Sequence, residues 1–138
     1  MSDTPSPKEI ARRWFDEVWN QRNLDLIPEL MAEDSKGHLE GGQEMAGPQQ
    51  FMDFQRAILE TLPDIQLEVL NTLSDGDDTC TLWSAKATHT GHGFGLQPTG
   101  KSVSFRGTTW LHIESGKITE GWDCWNQGGL SANLACAG

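Results

Sequence analysis

Ile10, Trp14, Phe15, Val18 and Trp19 recur three to four residues apart. That is the spacing of one helical face, and it predicts an amphipathic helix over roughly residues 8–20. Residues 1–7, with Ser, Asp, Thr and two prolines, read as a loose tail ahead of a single domain over 8–138. Asn23-Leu24-Asp25 breaks the first helix. Asp25 is a suitable N-cap for a short second one bearing Leu26, Ile27, Leu30 and Met31, with Pro28 in its tolerant first turn. The polar, glycine-rich stretch from Glu33 to Gly47 has room for only a short strand near Gly37–Glu40. Gly47-Pro48 then opens a third helix with Phe51, Phe54, Ile58, Leu59 and Leu62 on one face, and Pro63-Asp64 stops it.

After Pro63 the apolar period changes from helical to alternating. Ile65, Leu67 and Val69 alternate, and Ser74-Asp75-Gly76-Asp77 reads as a turn. A second strand over 79–90 places Trp83, Ala85, Ala87 and His89 on one face. Residues 91–100 form a loop. A third strand sets Val103, Phe105, Gly107, Thr109, Leu111 and Ile113 on one face, and Ser115-Gly116 turns it into a fourth over roughly 117–126. Three helices followed by a meander of long strands is an α+β plan. A curved, mainly antiparallel sheet with the helices folded into its hollow buries both apolar sets. It leaves a pocket where the helices do not fill it.

The bulk properties narrow the partners. The chain has 138 residues and a net charge of -10, from 20 acidic against 10 basic residues. Such a surface repels phosphate backbones and anionic lipid heads, so neither nucleic acid nor membrane is an expected partner. Cys80, Cys124 and Cys136 are an odd, widely spaced set that gives neither a disulfide framework nor a metal motif. No apolar signal core opens the sequence and no run reaches membrane-spanning length, so a cytoplasmic protein is expected. Six Trp, five Phe and no Tyr suit a greasy cavity, a core or a subunit interface equally well.

The candidate chemistry lies in the closing hairpin. Asp123 stands among Trp110, Trp122 and Trp125. A carboxylate on an apolar strand surface is costly to bury ionised, and its pKa rises toward the range of a general base. The competing reading is a half-exposed strand whose aspartate points to water. His89 and Thr109 alternate with apolar residues on the inner faces of their strands and are the polar helpers. Rim and sheet-fitting roles explain them as well. Trp14, Phe15 and Trp83 fit the core better than a pocket wall. Gly91-His92-Gly93-Phe94-Gly95 lacks the spacing, the lysine and the following helix of a phosphate loop. His89 and His92 do not have zinc-helix spacing, and His112 points outward, so no metal is expected. Cys124 follows Asp123 directly and therefore faces the other way, which excludes a nucleophile–base pair between them.

Residues 15–34, 47–69 and 87–130 resemble the SnoaL-like polyketide cyclase, or ester cyclase, family. The most specific parts are the loop Thr88-His89-Thr90-Gly91 with Pro98-Thr99-Gly100, and the hairpin Ser115-Gly116-Lys117-Ile118 with Glu120 and Trp122. The resemblance implies the NTF2-like fold, a cone-shaped α+β barrel. It also implies cofactor-independent acid/base chemistry, an intramolecular aldol closure on a hydrophobic carbonyl compound. In that family the acid/base lies five positions after the isoleucine of the turn, here Asp123 after Ile118. A pocket histidine of relatives falls on Thr109, and an aspartate of many relatives falls on Asn126. The implied pocket comprises His89, Thr109, Trp83, Phe105, Trp14, Phe15, His38, Trp122 and Asn126 around Asp123. Two other readings stay open. One is a non-catalytic ligand-binding or dimerisation module, with the outer sheet face around Trp110 and Trp122 pairing subunits into a dimer or tetramer. The other is hydrolase chemistry such as epoxide opening, for which Arg106 is the only arginine of the strand region and alternates away from Thr109.

Overall fold

A computed structural model describes residues 5–39, 42, 44–92 and 97–125. Ser6 caps the first helix, its hydroxyl accepting from the Glu9 amide at 3.2 Å, and Pro7 takes the first helical position. The helix thus begins inside the expected tail. It runs as α1 over Pro7–Arg13 and continues as a π-helix over Trp14–Asn20. Hydrogen bonds from i to i+5 in that segment bring residues five apart to one side, so Trp14 and Trp19 line the same space. Gln55 holds the widened turn by donating from Nε2 to the Val18 carbonyl at 2.8 Å.

The second helix is shorter than expected. Asp25 lies in a 3-10 turn, Leu24–Leu26, and caps nothing. α2 covers only Ile27–Leu30, and Met31 already begins strand β1, Met31–His38. The polar stretch after it holds a second strand, β2, Glu44–Ala46. Helix α3, Gly47–Thr61, follows as predicted, and then β3, Gln66–Asp75, β4, Asp78–Thr88, β5, Ser102–Glu114, and β6, Lys117–Trp125.

The six strands form one sheet in the order β2-β1-β6-β5-β4-β3. All pairs are antiparallel except β1 with β6, which run parallel and carry a register shift between Met31 and Lys36. The helices fill one side. Ile10, Ala11, Trp14, Phe15 and Val18 pack with Phe51, Ile58 and Leu62 of α3 and its end, and with Trp83, Ala85, Leu111, Ile113 and Ile118 of the sheet. Each fully buried Leu, Ile, Val or Phe contributes about 1.5–3 kcal/mol. The alternation in β4 and β5 is as expected from the sequence: buried positions fall every second residue.

Candidate active site

The inner row of the sheet that crosses the hollow runs from Thr81 through Thr109 to Asp123, which are register partners on β4, β5 and β6. Next to it runs Trp83–Gly107–Trp125. A Cβ at Gly107 would lie 2.6 Å from the Trp83 ring and 2.7 Å from the Trp125 Cβ. Only a glycine lets the two indoles meet over this strand, and it lets Trp83 lean across β5. The Trp83 indole N–H donates to Thr109 Oγ1 at 2.9 Å, and the Thr109 hydroxyl donates to Asp123 Oδ1 at 2.7 Å. Thr109 has one proton, and it is committed to Asp123. Oδ2 of the carboxylate has no bonded partner among the described residues.

Two cavities meet at this chain. One, about 480 Å³ counting its mouth, has an aromatic wall that includes Trp19, Phe54, Trp83, Phe105 and Trp125. The other, about 420 Å³ on the same measure, is walled by Met31, Met45, Phe51 and Leu111 with Ser35 between them. Trp14, Thr109 and Asp123 line both. Removal from water pushes the Asp123 carboxyl up from 3.8 to about 6, against the Thr109 hydrogen bond that pulls it down. A carboxyl poised there is largely ionised at neutral pH and is a stronger base than an ordinary aspartate.

The structure gathers some of the expected pocket residues and separates others. Asp123, Thr109, Trp83, Phe105, Trp14 and Phe15 all line the aromatic cavity. His89 lines neither cavity. It is fully buried, with Nδ1 held by the Thr99 hydroxyl at 3.0 Å and its backbone tied to Lys101 and Gly100, so it fastens the neck of the β4–β5 loop. His38 and Trp122 lie on the other face of the sheet. Their rings stack at 5.3 Å, Trp122 packs on Trp110 at 4.5 Å, and His38 Nε2 is 2.6 Å from Glu120. Parity explains it: Trp122 precedes Asp123 on a strand, so the two must face opposite ways. Asn126 falls outside the described residues. Trp19, Phe54, Trp125 and the methionines of the second wall were not anticipated as lining. Trp125, two residues beyond Asp123, is the one that parity alone would have supplied.

Arg106 is exposed, and no arginine lines either cavity among the described residues. The one described group of three metal-type ligands is Asp77, His112 and Glu114, with ligand atoms within 4.8 Å of one another. It lies apart from both cavities. His112 is already bonded through Nδ1 to Asp78 and through Nε2 to Glu114, and these bonds raise its pKa, Asp78 first. That environment favours imidazolium, whereas a metal needs the neutral ring.

The model of the family described as SnoaL-like polyketide cyclase matches residues 9–134. The chain belongs to this family. As a SnoaL-like polyketide cyclase family member it shares its fold with several solved structures. One, from Jannaschia sp. CCS1 and described as a candidate SnoaL-like polyketide cyclase, superposes at TM-score 0.88 over 99% of this chain and 98% of that one, with 20% identity. AclR of Streptomyces galilaeus, described as a candidate hydroxylase, gives TM-score 0.82 and 28% identity over 93% and 94%. IdmH of Streptomyces antibioticus, described as a candidate polyketide cyclase, gives 0.82 and 21% over 96% and 100%. No protein of curated function matches this SnoaL-like chain significantly in sequence. Its curved sheet and three helices are thus the α+β, NTF2-like cone expected of the family.

Proposed function

We propose that this protein is a cofactor-independent, cyclase-type enzyme in which Asp123 is the general base toward a hydrophobic carbonyl compound. The observation that carries the reading is a lone carboxyl at the junction of two apolar cavities, lifted to about 6 and held through one oxygen only. Oδ2 takes a proton from the carbon alpha to a carbonyl, and the electron pair passes into the enolate. The enolate carbon attacks a second carbonyl of the same molecule, a C–C bond forms, and that carbonyl's π pair becomes an alkoxide. Asp123 returns its proton to the alkoxide, so the product is an isomer of the substrate and nothing is consumed. The Trp83–Thr109–Asp123 chain supports this cycle by fixing which oxygen faces the substrate.

The test is proton exchange in deuterium oxide on aryl ketones bearing an α-methylene. The wild-type chain should accelerate exchange with a rate that rises with pH through about 6, and Asp123→Asn should not. An Asn variant as fast as wild type overturns the assignment. A second reading, hydroxylation, is favoured only by the description of the 28% identical neighbour. The same carbanion would then add to dioxygen and, on protonation, leave as a hydroperoxide, whose reduction to the alcohol takes two electrons from an external reductant; oxygen uptake with product separates the two.

The outer face supports pairing of subunits. Leu73, Cys80, Trp110, Trp122 and His38 are successive register partners across five strands. Leu73 is 67%, Trp110 46% and Leu82 40% exposed, a cost that a second copy of the chain would relieve. A monomer in sedimentation, or a dimer unaffected by Trp110→Ser, would reject this face. Cys80 and Cys124 are free and exposed, which suits the reducing cytoplasm, and no described helix is long and apolar enough to cross a membrane.

A further inference from the structure

An enolate needs a donor for its oxygen as much as a base for its proton. The residues first expected to supply that donor do not. The Thr109 proton is spent on Asp123, the Trp83 N–H is spent on Thr109, and the His89 ring lines neither cavity.

Trp14 is only 3% exposed, yet its indole N–H has no hydrogen-bond partner among the described residues. Buried N–H groups are nearly always paired. The described core has three sealed side-chain atoms without partners, Gln55 Oε1, Thr79 Oγ1 and His89 Nε2, and the Trp14 nitrogen is not one of them. It is unbonded among the described residues and still reachable, and Trp14 lines both cavities beside Asp123. Trp19 and Trp125 are only partly buried and can give their N–H to water. Ser35, a buried hydroxyl with no partner among the described residues, lines one cavity and not the junction, and Thr79 lines neither.

We infer that the Trp14 indole N–H is the donor that receives the substrate's carbonyl oxygen, opposite the Asp123 carboxylate. The π-helix is what turns Trp14 and Trp19 to this side together, and the Phe51 ring, 4.8 Å away, holds the Trp14 indole in place. A single neutral N–H suits a ketone or ester oxygen, which only accepts. It offers nothing to a substrate that brings a donor to this point. A buried neutral donor and a base that line the same junction select for an acceptor adjacent to an acidic C–H.

The inference rests on the proposed base reading for its chemistry, but its test does not need turnover. 2-Acetylnaphthalene and 2-isopropenylnaphthalene share one shape and differ in C=O against C=CH2. The wild-type protein should bind the ketone about fivefold to tenfold more tightly, the usual worth of one net hydrogen bond. Trp14→Phe should bind both alike, with the alkene affinity unchanged. Asp123→Asn should keep the preference, which separates this result from any failure of the base assignment. No preference in wild type, including no binding of either probe, overturns the inference. So does a preference that survives Trp14→Phe or disappears in Ser35→Ala. If Trp14→Phe does not fold, the indole N–H spectrum of the wild-type chain decides. Of its six tryptophan signals, the one that is near the Phe51 ring and persists in Trp19→Phe should shift downfield with the ketone only. A shift of any other signal, or of none, overturns it.

Discussion

Asp123→Asn tests the electrostatics of the site without any substrate. The folded carboxyl titrates at about 6 and the unfolded one at 3.8. Because the folded value is raised, the folded state binds more protons than the unfolded state between those limits, and stability falls as pH rises through that window. Two units at 1.36 kcal/mol each make the ionised Asp123 a burden of about 3 kcal/mol at pH 8, and about half of that at pH 5. Asparagine has the same shape, accepts the Thr109 hydroxyl equally well and carries no charge. The stability difference, variant minus wild type, should therefore grow by about 1.5 kcal/mol from pH 5 to pH 8, whatever constant offset the amide introduces. Urea unfolding of both proteins at the two pH values measures it. In melting temperature the widening is on the order of 5 °C for a chain of this size. A difference that stays flat or shrinks as pH rises would mean that Asp123 is solvated in the folded state. Both the general-base reading and the apolar junction would fall with it.

Thr109→Val removes the bond that pulls the carboxyl down, so carbon-13 titration should find Asp123 above 6, and an unchanged value refutes the chain's role. Gly107→Ala would press a methyl into the Trp83 and Trp125 side chains and pull the Trp83 N–H off Thr109. It should cost about 1–3 kcal/mol by denaturant unfolding and raise the Asp123 titration as well. Gly91→Ala sets a Cβ 1.4 Å from the Glu60 carbonyl oxygen, which is backbone and cannot yield. A loss of more than about 2 kcal/mol is expected, and a neutral result contradicts the packing of this loop on the end of α3.

Much of this was legible because strands of period two declare their faces. The alternation of Val103, Phe105, Gly107, Thr109 and Leu111 on β5 put Thr109 inward, whereas Asp123 came from the family resemblance. A plain count back from the Ser115-Gly116 turn sets Trp122 opposite Thr109; the register shift between His112 and Ile113 puts Asp123 there instead and turns Trp122 to the other face. What hid was of another kind. Met31-Ala32-Glu33-Asp34-Ser35-Lys36-Gly37-His38 buries only Met31 and Ser35, so β1 carries almost no hydrophobic signal. It is a strand because β6 and β2 pair with it on either side. The π-helical turn has the sequence of an ordinary amphipathic helix, and what marks it in the fold is the Gln55–Val18 bond from a helix 37 residues away. Core and cavity wall draw on the same aromatic residues. Only the fit of the helices in the sheet decides which rings face a void, and single-strand periodicity cannot sense that fit.

The parallel pairing of β1 with β6 sets a timetable for the chain. Met31 meets Ile118 and His38 meets Trp122, so β1 gains its place beside the Asp123 strand only once β6, 79 residues after its end, has been made. During synthesis β1 has no neighbour but the three-residue β2, and its other edge waits through α3 and three further strands. Closing so long a loop is slow, and an unpaired edge is open to wrong partners in the meantime. The strand that waits is polar and broken by a bulge, poor material for aggregation. The same weak hydrophobic signal that conceals it in the sequence protects the nascent chain until β6 arrives.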